Sequence, residues 1–124
     1  MLYTSYFSFV QKVPSEFLVA IAGGVPLGFA GLHYRKLAPK KDWWEQWYNE
    51  KLSDDWYTRK YNETVLNNLD PVTILKEFGD NKILLCWEKP GKFCHRHLIA
   101  DWLNKSTGVN VQELTVMDKQ KFIK

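Results

Sequence analysis

The sequence predicts an α/β fold: a single Rossmann-like domain with a mostly parallel sheet of about four or five strands and an aromatic-rich helical insertion in the middle. Two observations predict it. Phe17-Leu18-Val19-Ala20-Ile21 and Lys82-Ile83-Leu84-Leu85-Cys86-Trp87 are short, near-continuous apolar runs bounded by loop signals. Such runs mark strands buried on both faces, as in parallel sheets. The stretches between and after them carry helical spacing with caps, which is the alternation expected of strand–helix–strand units.

The elements follow in order. Leu2-Tyr3-Thr4-Ser5-Tyr6-Phe7 is rich in aromatic and hydroxyl residues and reads as a first strand. Phe17 to Ile21 is the second strand, and Gly23 and Gly24 end it. Gly24 to Pro39 is too glycine-rich for regular structure and is expected as a long loop. Asp42 to Glu50 is one short helix. Ser53 is a good N-cap for the next, with Asp54 and Asp55 in its first turn. There Tyr57, Tyr61, Val65, Leu66 and Leu69 form one stripe. Asp70-Pro71 restarts a helix that Gly79 closes. After the strand at Lys82–Trp87, Lys89-Pro90-Gly91-Lys92 turns the chain, and a helix opens at Phe93 or Cys94 and runs to about Asn104. Val109 to Leu114 is a last strand, so the core spans 2–114 and 115–124 is expected as a C-terminal tail of the one domain.

Composition narrows the function classes. A chain of 124 residues with 45% hydrophobic and 25% charged content is globular and long enough for one sizeable core. The net charge of +3 falls short of the concentrated positive field of a dedicated DNA-binding domain. Aromatics reach 15%, with six tryptophans. In Trp43, Trp44, Trp47 and Tyr48 they read as helix packing before a stacking platform. Phe17 to Leu32 lacks any charge, but Gly23, Gly24, Pro26, Gly28 and Gly31 break it, so no membrane span is expected. The N-terminus has no basic stretch before an apolar one and does not read as a secretory signal. With only Cys86 and Cys94, the chain is no disulfide scaffold, and a reducing cytoplasm is the expected compartment.

Chemistry concentrates between Ile83 and Leu103. In parallel sheets ligands sit beyond the carboxyl ends of strands, near helix N-termini. The loops after Ile21 and after Trp87 both meet that description. On the last helix, Leu98, Ile99, Trp102 and Leu103 define a buried face at 100° per residue. That phase turns His95 inward, puts Cys94 and Arg96 at the lip of the crevice, and points His97 to solvent. A helix N-terminus attracts anions and lowers a thiol pKa. Hence Cys94 is expected as a nucleophile and Glu88 as an acid or base. Arg96, His95 and Cys86 are the expected ligand-binding residues, with Arg96 as a fork for phosphate or carboxylate. Each has a plainer reading: Cys86 and His95 as satisfied core residues, and Cys94 as packing. No metal site is expected, because Cys86, Cys94 and a histidine fit no paired-ligand spacing and lack a fourth ligand. Walker, nucleophile-elbow and dinucleotide fingerprints are absent from the sequence.

The run from Leu84-Leu85-Cys86-Trp87-Glu88 through Phe93-Cys94-His95-Arg96 to Leu98-Ile99-Ala100-Asp101-Trp102-Leu103 resembles the signature of the domain-of-unknown-function family 488. That signature is an apolar pair, Cys-x-Glu, a short turn, then Cys-His-Arg and an apolar helix. The opening Tyr3-Thr4-Ser5-Tyr6-Phe7, the Leu37-Ala38-Pro39 step and the Tyr61 to Leu69 helix are similar to one branch of it, so the resemblance covers most of 2–114. It implies a Rossmann-like domain with the family's polar residues at Cys86, Glu88, Cys94, His95 and Arg96. It also implies a basic residue and a tryptophan in the loop after the second strand, where this chain has Gly23 and Gly28.

Three functions follow as expectations. The first is an enzyme acting on a nucleotide, a base or a phosphorylated metabolite, with a small anionic ligand at the Cys-x-Glu/Cys-His-Arg crevice. The second is a protein that binds or sequesters such a ligand without turnover. The third is a nucleic-acid-associated module using the basic, tryptophan-rich stretch from Arg35 to Tyr48. Sequence leaves any cofactor open.

Overall fold

The computed structural model describes residues 1–123. Strands β1 (Leu2–Tyr6), β2 (Leu18–Ala20), β3 (Leu32–His33), β4 (Lys82–Cys86) and β5 (Val111–Glu113) form a five-stranded sheet in the order β3-β2-β4-β1-β5. All its pairings are parallel. The described residues also form helices α1 (Lys41–Glu50), α2 (Asp54–Thr64), α3 (Pro71–Phe78), α4 (His95–Thr107) and α5 (Val116–Phe122). The expected α/β class with a parallel sheet is what forms. No helix among the described residues is long and apolar enough to cross a membrane.

The central strand explains the topology. In β4, Ile83, Leu84, Leu85 and Cys86 are all buried, so it needs a strand on each side and cover on both faces. β1 and β2 flank it, pairing Tyr3 with Ile83 and Leu18 with Ile83. On one face Leu2, Val19 and Leu84 pack with Tyr61, Ile74, Ile99 and Leu103 from the helices. On the other, Tyr3, Leu18, Ala20, Ile83 and Leu85 meet Phe7, Val10, Val13 and Leu114. Among the described residues, no long helix covers this second face. Its cover is the 3-10 turn at Phe7–Val10 and the short α5.

The caps form as the sequence suggests. Ser53 Oγ accepts from the Trp56 amide at 3.1 Å, and Asp70 accepts from the Thr73 amide at 3.2 Å. Two expectations need correction. The expected loop from Gly24 to Pro39 contains β3, where Leu32 and His33 pair with Val19 and Ala20. Gly31 permits this approach, because a Cβ there would lie 2.6 Å from the Leu18 carbonyl oxygen. The expected tail contains α5. Thr115 caps it by accepting from the Asp118 amide at 3.0 Å, and Phe122 packs edge-on against Phe17 and Tyr3 at 5.0 and 5.8 Å. Lys124, the last residue of that expected tail, lies outside the described residues.

Candidate functional site

A cavity of about 490 Å³ opens beyond the carboxyl ends of β2 and β4, at the N-terminus of α4. Both loops singled out from the sequence line it. Ala22, Gly23 and Gly24 come from the first, and Trp87 and Glu88 from the second. One wall is aromatic: Trp44, Trp47, Tyr57 and Phe93. The rings hold one another edge to face, with Trp47–Tyr57 centroids at 4.9 Å and Tyr57–Phe93 at 4.8 Å. Burial raises the Tyr57 hydroxyl pKa, with the Glu88 charge adding to the shift, so this phenol stays protonated. A polar wall consists of Cys86, Glu88, Cys94 and His95, with Lys41 on the rim. Trp43 is instead buried in the core, and Tyr48 is exposed.

The glycine-bearing loop after β2 is held by three ring N–H groups. His95 Nε2 lies 2.7 Å from the Ile21 carbonyl, His33 Nε2 lies 2.9 Å from that of Ala22, and Trp87 Nε1 donates to Gly24 at 3.2 Å. A carbonyl only accepts, so the His95 and His33 contacts place the proton on Nε2 of each ring. In His95 this leaves the Nδ1 lone pair facing Cys94 Sγ at 3.9 Å. Burial pushes the His95 pKa down to about 4; the Ile21 bond opposes that shift and the Arg96 charge adds to it. His95 is therefore a neutral imidazole at physiological pH, packed against the Tyr61 ring at 5.4 Å.

Of the residues predicted from sequence, Cys86, Glu88, Cys94 and His95 do meet in one cavity. His95 is buried and His97 exposed, as the helical phase requires. Arg96 is the correction. It is 0% exposed and does not line the cavity. The buried face of α4 centres on Arg96, Ile99 and Leu103, at spacings of three and four, whereas Leu98 and Trp102 are only partly buried. Counting those two apolar residues as fully inward rotates the expected face and swings Arg96 out to the lip. Cys94 is also buried rather than at a lip, because it is the N-cap before the first helical turn.

Arg96 is held from several sides. Its Nε and Nη2 donate to the two carboxylate oxygens of Glu113 at 3.1 and 2.9 Å. Its Nη1 donates to the Glu88 carbonyl at 2.6 Å and to Cys86 Sγ at 2.9 Å. The guanidinium also sits 5.9 Å from the Tyr6 ring centroid. Thr4 Oγ1 in turn donates to Glu113 at 2.6 Å. Glu113 and Thr4 were not singled out from the sequence. The available signal was an acid inside the strand Val109 to Leu114, where an inward charge demands a partner.

Cys86 and Cys94 are joined by a disulfide. Their spacing gave no sign of it, since the bond depends on the end of β4 meeting the start of α4. The Cys86, Glu88 and Cys94 ligand atoms lie within 4.8 Å of one another, close enough for a soft cation once the thiols are free. The Arg96 guanidinium on Cys86 opposes that use by placing a fixed positive charge at one of the donors.

No curated protein and no solved structure matches the chain. The family model described as the active DUF488-N3 subclade matches residues 21–107, from the end of β2 to the end of α4. That span is well over half of the sequence and contains every residue of the polar wall, and the protein belongs to the DUF488 family.

Proposed function

We propose that the cavity binds a nucleotide, a nucleobase or another phosphorylated metabolite with a planar ring, and that the protein is an enzyme acting on it. The observation that carries this reading is that aromatic rings and polar side chains together line one cavity of about 490 Å³, a volume suited to one small ligand. Trp44 and Trp47 offer ring faces for a base, and Lys41 on the rim offers a charge for a phosphate. Glu88 acts as acid or base at the open side, and Cys94 acts as nucleophile when reduced, with His95 Nδ1 beside it to take its proton. Cys86 orients the same edge of the ligand. Arg96 acts from behind the cavity by holding Cys86 and the Glu88 backbone. The family model's description as an active subclade agrees with turnover. A cytoplasmic setting fits, because it would keep the cysteines as thiols.

Binding without turnover is the second reading, and one observation favours it: in the bonded state neither sulfur is free to attack. One experiment separates the two. Tryptophan fluorescence is titrated with a panel of nucleosides and mononucleotides, and each is then incubated with reduced protein and analysed for product. Quenching that weakens in Trp47→Leu supports the ligand class, and product lost in Glu88→Gln supports an enzyme. No quenching up to about 1 mM, the top of the usual metabolite range, would overturn the ligand class.

A further inference from the structure

We propose that Cys86 and Cys94 form a reversible dithiol–disulfide centre that exchanges with a low-molecular-weight thiol or disulfide entering the cavity. The inference stands whichever ligand the cavity otherwise takes.

Three observations carry it. The two sulfurs are bonded, yet both residues line a cavity open to solvent, so a small thiol has a path to them. Both side chains are buried, at 1% and 3% exposure, so the surface of a macromolecular partner does not reach them. The partner class is therefore small. The two sulfurs also differ electrostatically. Cys86 Sγ accepts from the buried Arg96 guanidinium at 2.9 Å, which stabilises Cys86 as a thiolate. Among the described residues, Cys94 makes no hydrogen bond to a cationic side chain. It caps α4 and faces the neutral lone pair of His95.

That asymmetry assigns the roles. In thiol–disulfide exchange the better-stabilised thiolate is the better leaving group. An incoming thiolate RS⁻ attacks Cys94 Sγ, forming Cys94–S–S–R and breaking the Cys86–Cys94 bond, with the electron pair leaving on Cys86 beside Arg96. A second RS⁻ attacks the R sulfur of the mixed disulfide, giving R–S–S–R and a Cys94 thiolate. The two thiols are thus oxidised to one disulfide while the protein disulfide becomes two thiols. In reverse, the Cys94 thiolate attacks R–S–S–R and expels RS⁻. The Cys86 thiolate then attacks Cys94 Sγ, closes the protein disulfide and expels the second RS⁻. The Cα atoms are 7.3 Å apart, beyond the roughly 4.4–6.8 Å usual for a disulfide, so the reduced sulfurs can separate without moving β4 from α4.

The test uses the full-length protein in buffers of reduced and oxidised glutathione, with free thiols counted by alkylation and intact mass. The expected result is a reversible passage between zero and two free thiols in the folded state. With oxidised glutathione, Cys86→Ser should accumulate the mixed disulfide on Cys94, and Cys94→Ser should accumulate much less on Cys86. In Cys94→Ser at neutral pH, Cys86 should react with iodoacetamide about tenfold faster than in the same protein carrying Arg96→Met, because the guanidinium raises the thiolate fraction. A disulfide that resists reductant until urea unfolds the chain would overturn the proposal, leaving a structural bond only. So would a Cys86 whose alkylation follows an ordinary thiol pH profile in Cys94→Ser, a measurement that does not depend on whether the Arg96 variant folds.

Discussion

Lowering the pH should destabilise the protein through His95, by an amount the structure allows to be worked out. In the folded chain its pKa is pushed down to about 4, against 6.5 for an unburied histidine. Between these values the unfolded chain binds a proton that the folded chain refuses, so stability rises with pH across that window. The contribution is fully present above about pH 6.5 and is lost as pH falls toward 4. Integrating the two titrations gives a loss of about 2 kcal/mol by pH 5 and about 3 kcal/mol by pH 4. For a domain of ordinary stability, about 5–15 kcal/mol, that is a large fraction. The assay is urea unfolding at pH 7.5 and pH 5.0, with the disulfide intact, for the native protein and His95→Gln. All other titratable groups are common to both proteins, so the difference between the two losses isolates His95. The native protein should lose about 2 kcal/mol more than the variant over that interval. Equal losses, or a His95 imidazole that titrates by NMR near 6.5, would refute the reasoning.

Further outcomes follow from packing. Arg96→Met should cost about 3 kcal/mol in urea unfolding, because it strands the Glu113 carboxylate and empties a buried donor site. Adding Glu113→Gln should cost less than the sum of the two single changes, since they remove the same pair; strict additivity would show the pair to be energetically idle. Gly31→Ala should cost about 1–3 kcal/mol by overpacking, because its Cβ would meet backbone as well as the Phe29 ring. A thermal midpoint unchanged from the native protein would contradict that close approach.

The legible parts of the fold were those written in local pattern. β1, β2 and β4, the caps at Ser53 and Asp70, and the stop at Gly79 were read correctly because each is set by a few adjacent residues. β3 escaped because two residues form a strand only when a neighbour is already in place. α5 escaped because its apolar contacts are few and its cap at Thr115 is a modest signal beside charged residues. In the site, His95 was placed correctly and Arg96 was not. A periodicity argument treats arginine as outward by default, and only the Glu113 carboxylate on another strand reverses that default. The loop at Gly23 looked unremarkable in the sequence because its order comes from three rings that arrive from β3, the end of β4 and α4.

The hydrogen-bonded path from Thr4 through Glu113 and Arg96 to Cys86 lies partly outside the family-matched span. The family-matched span ends at 107, before Glu113, and begins at 21, after Thr4. A fragment trimmed to that span would carry both cysteines, Glu88 and His95, yet lack the acid that keeps Arg96 folded under the cavity. β5, by carrying Glu113, therefore completes the setting of the cysteine centre.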